Sequence, residues 1–238
     1  TPTGNRTILA AFSGLYTIDP NGTGSRNFTS FGSAINALLA SGVGGATTFQ
    51  VAAATYNEQI TVPVIPGASA TNTVTFDGGT GNAATRIVSY SVNSAYGSVI
   101  TLNGADYVTF KNLTVNSTNG SYGYGFLFTN SADYNEISDC VVNMPLNSTS
   151  SYHICLVASS TSSYSAYGDW GNFNLIKDNT FNGGYYNVRW NGYSSSDYTT
   201  SQGNQFIGNT FQEWYYYGLM VYYGGRSEEH TSELQSRQ

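Results

Sequence analysis

The side chains with reactive potential in this chain are few, and most fall in two stretches. Asp133, Glu136 and Asp139 lie in the first, and Asp169, Lys177, Asp178, Arg189 and Asp197 in the second. Two carboxylates that converge can divide acid and base roles across a glycosidic bond, and a larger set can hold Ca²⁺ beside a base. Arg189, Asp169 and Asp178 are the candidates for catalysis, and Arg189, set between Val188 and Trp190, is the hardest to explain as mere structure. Turn chemistry accounts for most of the others, because Asp is common at bends, and Lys177 on a solvated strand needs no role. His153 is the one histidine before the last thirteen residues, so a histidine metal site or nucleophile-histidine pair lacks partners. Cys140 and Cys155 are too few for a cysteine-only zinc site or a disulfide scaffold, and they read as small buried residues, with a disulfide as the alternative. "DGGTGN" (77–82) lacks the Lys-Ser/Thr and following helix of a phosphate loop and reads as a turn. No metal or cofactor is expected, except Ca²⁺ if the chain eliminates across a sugar linkage.

Aromatic residues offer a second kind of chemistry. They crowd into the last third, where Trp170, Trp190, Tyr193, Trp214 and Tyr222 are the candidate ligand-binding residues. Alternate residues of a strand face opposite ways, so "EWYYYGLMVYY" cannot bury every ring. Exposed rings suit the faces of sugars, with Asn and Ser to orient them, and insertions at about 158–173 and 191–203 would wall such a face. The competing reading is a set of aromatic ladders that pack on one another.

A net charge of −6 with no cluster of Lys or Arg excludes a nucleic-acid partner. No apolar run approaches the roughly 18 residues of a membrane span. Polar turns and 20 Tyr suit a β-rich protein outside the cell.

These side chains must be positioned by strands. One helix is predicted, at about 30–41, where Phe31, Ala34, Ile35, Leu38 and Leu39 form one apolar face, Thr29 or Ser30 caps the start and Gly42 ends it. Short strand-like runs follow, and they repeat. "YVTFKNLTV" (107–115) aligns with "YNEISDCVV" (134–142), then with "NLIKDNTF" (174–181, with one extra residue) and "NQFIGNTF" (204–211). A second series has members near 100, 127, 155, 189 and 220, in steps of about 27–33 residues. No unit of this size buries its own apolar face, so the units stack strand on equivalent strand as a parallel β-solenoid. Asn112, Asp139, Asn179 and Asn209 mark its bends, and the helix covers its open end.

"NFTSFGSAINALLASGVGGATTFQVAAATYNEQITVP" (27–63) resembles the opening of pectin lyase-like right-handed β-helix proteins, with a capping helix, a first strand and a "TYNE" turn. "SVITLNGADYVTFKNLTV" is similar to the next rung of pectin methylesterases, and the whole of about 12–225 looks most like large exported β-helix proteins of Bacteroidetes. The resemblance implies an all-β right-handed parallel β-helix in an exported protein. It does not carry over the esterase's two carboxylates and Arg, because "GFLFTNSADYNEISDCVV" and "HICLVASS" hold no carboxylate pair in their central strands. The expected function is a non-catalytic surface module that binds polysaccharide or mediates adhesion. The alternatives are a carbohydrate-active enzyme of lyase, esterase or glycosidase type, and a structural spacer.

Residues 226–238, "RSEEHTSELQSRQ", depart from this pattern, and the first eleven resemble a common sequencing adapter translated in frame. The expected organisation is an entry segment at 1–28, a β-helix at 29–225 that stops without a cap, and a non-native tail.

Overall fold

The computed structural model describes residues 10–168, 171–192, 202–222 and 233–234. The strands form three sheets, each paired in parallel throughout the described residues. Each turn of chain lays one short strand in the first sheet, one in the second and one in the third, and then returns beside its predecessor. The third sheet contains Ile60–Pro63, Ser98–Asn103, Gly123–Thr129, His153–Ala158, Tyr186–Asn191 and Tyr217–Tyr222, so there are six complete turns. The fold is the expected all-β right-handed parallel β-helix.

Inward side chains in register explain why the strands stack. In the first sheet the column is Phe49, Phe76, Phe110, Ile137, Ile176 and Phe206, all buried. Phe49, Phe76 and Phe110 stack at ring separations of 5.3 and 4.8 Å. The second sheet contributes Tyr56, Val88, Val115, Val142, Phe181 and Phe211. In the third, Val62, Leu102, Phe128, Ala158 and Trp190 line up. Each such side chain contributes about 1.5–3 kcal/mol by leaving water.

Trp190, expected to face a ligand, belongs to this interior. It is 2% exposed, with its ring 5.5 Å from Phe128 and 5.1 Å from Phe206. Strand alternation decides the matter, because Arg189 takes the outward place and Trp190 must turn in.

The bends hold two kinds of position that the sequence alignment merged. Asn112, Asp139 and Asp178 adopt φ of 56°, 52° and 53°, and Gly208 takes the same place at 63°. The next residue of each turn, Leu113, Cys140, Asn179 and Asn209, points inward and is buried. Asn179 and Asn209 are therefore ladder residues, not bend residues, and "NLIKDNTF" has no extra residue, since Ile137 pairs with Ile176 and Val142 with Phe181. The Asn179 amide donates to Ile137 O (2.8 Å) and to Asn209 Oδ1 (3.0 Å), and its oxygen accepts from Cys140 N (3.0 Å). A second buried ladder, Asn135, Asn174 and Asn204, works the same way at the entrance to the first sheet. These amides satisfy backbone groups that a bend inside the core would orphan.

The helix spans Phe31–Ser41, with a Ser30–Ser33 capping box and Gly42 at φ 68°. Phe31, Ala34, Ile35 and Leu38 are buried at the N-terminal end of the core. Glu58 of "TYNE" also reaches the helix start, where its two oxygens accept from Phe31 N (3.1 Å) and Gly32 N (2.9 Å). That turn thus fastens the cap to the first complete rung. Glu58→Ala is expected to lower the unfolding free energy by about 1–2 kcal/mol in urea titration, and an unchanged midpoint would contradict this role.

At the other end Glu233–Leu234 pairs in parallel with Thr210 and Phe211 of the second sheet. The tail set apart by its composition therefore touches the fold at those two residues.

Candidate functional site

The outward faces show where chemistry could occur. On the first sheet, Asp77 meets Lys111 (3.3 Å), the Asn112 amide (2.8 Å) and Gly79 N (2.7 Å). Burial raises the Asp77 carboxyl, but these donors outweigh it and hold the group below its usual range. "DGGTGN" is accordingly a turn, and Gly78 is required because a Cβ there would lie 1.9 Å from Asn112 O.

The sequence-selected acids hold backbone or bends. Asp133 Oδ1 accepts from Asn172 N (2.6 Å), and its own N–H donates to Asp106 Oδ1 (2.8 Å). Burial raises the Asp106 carboxyl. Glu136 stands between Thr109 and Leu175 on the first sheet. Asp139 and Asp178 occupy the same bend in neighbouring turns, and Asp178 pairs with Lys177 at 3.4 Å. Asp169, Trp170, Tyr193 and Asp197 lie outside the described residues, as do the side chain of Tyr222 and most of the 191–203 insertion. Trp214 is half-buried against the main core. No cluster of three or more metal-ligating side chains occurs among the described residues.

His153 is buried and satisfied, with Nδ1 2.5 Å from Ser148 Oγ and Nε2 2.9 Å from Asn119 O. Burial lowers its pKa, which disfavours the charged ring. Cys140 and Cys155 are free, and burial pushes both thiols up to about 12, so neither is a nucleophile near neutral pH.

Several aromatics form ladders. Tyr107, Tyr134 and Phe173 stack at 4.9 Å with interplanar angles of 5° and 8°, each at a left-handed bend. Both faces of the middle ring, Tyr134, are thereby covered by its neighbours.

The third sheet is different. Its outward column runs Thr61, Thr101, Leu127, Val157, Arg189 and Met220. From Leu127 onward a second apolar cluster covers it, with Tyr124, Ile154, Val157 and Tyr186 and a contribution from Tyr164. Arg189 sits within this cluster, 8% exposed. Its guanidinium carbon lies 4.6 Å from the Tyr164 ring and 5.4 Å from the Tyr186 ring, and Nε donates to Asn191 Oδ1 (3.2 Å). The Asn191 amide in turn donates to Tyr164 O. No carboxylate forms an ion pair with Arg189 among the described residues.

Tyr164 belongs to the loop at 159–168, which Ser159 and Ser160 fold onto itself through bonds to Ser163 O, Ala166 O and Tyr167 O. Arg189 thus clamps that loop to the sheet by cation–π contact. Arg189→Ala is expected to make 159–168 the first site of limited proteolysis and to leave the far-ultraviolet circular dichroism unchanged. Equal cleavage rates in the two proteins would refute the clamp.

Ahead of the clamped loop the outward face opens into a groove of about 470 Å³. Its floor is Thr61, Thr101 and Leu127, one residue from each of three turns. One flank is formed where the strands begin, by Gln59, Tyr96, Gly97 and Ser98. The other is formed where they end, by Asn103, Thr129 and Asn130, and Ser160–Ser162 lie toward the fourth turn. Ser98 Oγ and Thr101 Oγ1 are 2.5 Å apart, and Gln59 donates to Ser98 O (2.9 Å). The Asn130 amide donates to Asn103 Oδ1 (2.5 Å). Thr129, only 6% exposed, has a hydroxyl without a hydrogen-bond partner. Tyr96 is exposed and meets the Tyr152 ring edge-on at 5.7 Å.

Ser160–Ser162 fall in the 158–173 insertion expected to wall a ligand face, while the floor and flanks lie in turns before the aromatic-rich last third to which the sequence points. A signal was present, because "ITV" at 60–62 and "VITLN" at 99–103 both carry an outward Thr between inward residues.

No protein-family model matches the chain, and no curated protein sequence matches it. Several solved structures are similar. Pectin methylesterase from Aspergillus niger is 16% identical, over 84% of this chain and 61% of that one, with a TM-score of 0.45. The pectin methylesterase of Erwinia chrysanthemi is 11% identical, over 85% and 62%, with a TM-score of 0.48. A pectin methylesterase variant in complex with a hexasaccharide is 12% identical, over 87% and 66%, with a TM-score of 0.49. The chain spans less than two thirds of the length of each of the three.

Proposed function

We propose that this chain is an exported, non-catalytic surface module that binds polysaccharide in the groove on its third sheet. The observation that carries the reading is the lining: hydroxyls and amides from three turns with one exposed tyrosine, and among the described residues no carboxylate, imidazole or cation. Sugars are held by such sets, with donors and acceptors to orient hydroxyls and a ring to meet an apolar face. Bond cleavage would need an acid or base within reach of the bound chain, and the described lining supplies none. Among the described residues no helix is long and apolar enough to cross a membrane.

The test pairs a glycan array with product assays. The wild-type protein is expected to retain a polysaccharide that Tyr96→Ala releases, while reducing ends and methanol stay at background. Product formation would favour a carbohydrate-active enzyme, and retention of no glycan would favour a structural spacer.

A further inference from the structure

Resting on the polysaccharide binding proposed for this groove, we infer that its ligand is an uncharged, extended glycan. It lies along the solenoid axis with one sugar to each of three turns. Three observations support this. The groove runs across the strands, because its floor is one register column, Thr61, Thr101 and Leu127, and its flanks are the two ends of the same strands. An extended ligand therefore follows the axis, along which equivalent residues recur about every 4.8 Å. A pyranose in an extended chain advances by a similar length, so successive sugars meet successive turns in the same way.

The polar groups are spaced to match. The first turn offers Gln59 and Thr61, the second Thr101 and Asn103, and the third Thr129 and Asn130.

Charge sets the class of sugar. A uronate or sulfated chain needs cations to replace its lost hydration, and among the described residues no Lys, Arg or His lines the groove, in a chain of net charge −6. Arg189 lies two turns beyond Leu127 in the same column, under the Tyr164 loop. That loop covers the column beyond Leu127 and so fixes the number of sugars at three.

Isothermal titration of the full chain with neutral gluco-, manno- and xylo-oligosaccharides of two to six units, and with oligogalacturonates, tests this at low and high salt. A neutral series is expected to bind at least tenfold more tightly than the acidic one. Its affinity should rise to the trimer, level off and ignore salt. Tyr96→Ala and Thr101→Val should each lose about tenfold, with unchanged thermal melting to show that both are folded.

Preference for oligogalacturonate, sensitive to salt and lost in Tyr96→Ala, would overturn the uncharged class and leave polysaccharide binding standing. Affinity that keeps rising beyond three units would overturn the placement along three turns. No binding of any oligosaccharide would overturn both the inference and the proposed function.

Discussion

Trp190→Ala is expected to lower the unfolding free energy by about 3–5 kcal/mol, the range for truncating a large buried aromatic. The indole is among the largest fully buried side chains, and it lies between Phe128, two turns back in the same column past the small Ala158, and Phe206 of the next turn. Its removal leaves a void that neither neighbour can fill without leaving its own column. Urea denaturation measures the cost. The folded fraction of the same variant should bind glycan as the wild type does, because Trp190 points away from every outer face. A variant of normal stability that loses glycan binding would reverse the assignment and return Trp190 to the ligand.

Trp190 shows how far the sequence determines the fold. A repeat of about 30 residues with apolar triplets was enough to predict a solenoid, since no unit that short buries its own face. The capping helix was also legible, from Phe31, Ala34, Ile35 and Leu38. Which face of a strand is inward was not, because "YYNVRW" is apolar on both faces and alternation has no polar phase to fix it. Likewise the one-residue difference between the bend position of Asp178 and the ladder position of Asn179 is invisible in "DN", where both residues suit a turn. The groove was missed for a different reason. It is built of Thr, Ser, Gln and Asn, which the chain uses everywhere, and only the stacking of three turns brings a few of them into a shared cavity.

Asn179→Ala is the second large effect. It strips Cys140 N and Ile137 O of their partners inside the core, and an unsatisfied buried backbone group costs about 1–3 kcal/mol. The expected loss is about 3–5 kcal/mol, against less than about 1 kcal/mol for Asn143→Ala. Asn143 makes comparable amide bonds with Asn116 and Asn182 on the half-buried outer face, where water can replace them. Similar costs for the two variants in urea titration would show that the interior ladder holds no more than the surface one.

Those ladders also divide the chain into what can and cannot change length. Successive rungs of the Asn135 ladder are separated by 27, 39 and 30 residues, from Val108 to Asn135, to Asn174 and to Asn204. The passage from the first sheet to the second is the same in each of these turns, Phe110 to Val115, Ile137 to Val142, Ile176 to Phe181 and Phe206 to Phe211. All variation is taken up on the way into and out of the third sheet, beside the groove. Over these four turns the molecule is thus a spine with a constant hinge line on one edge and room for grafted peptide on the other. A new recognition loop could be spliced next to the binding face without disturbing the register that holds the spine together.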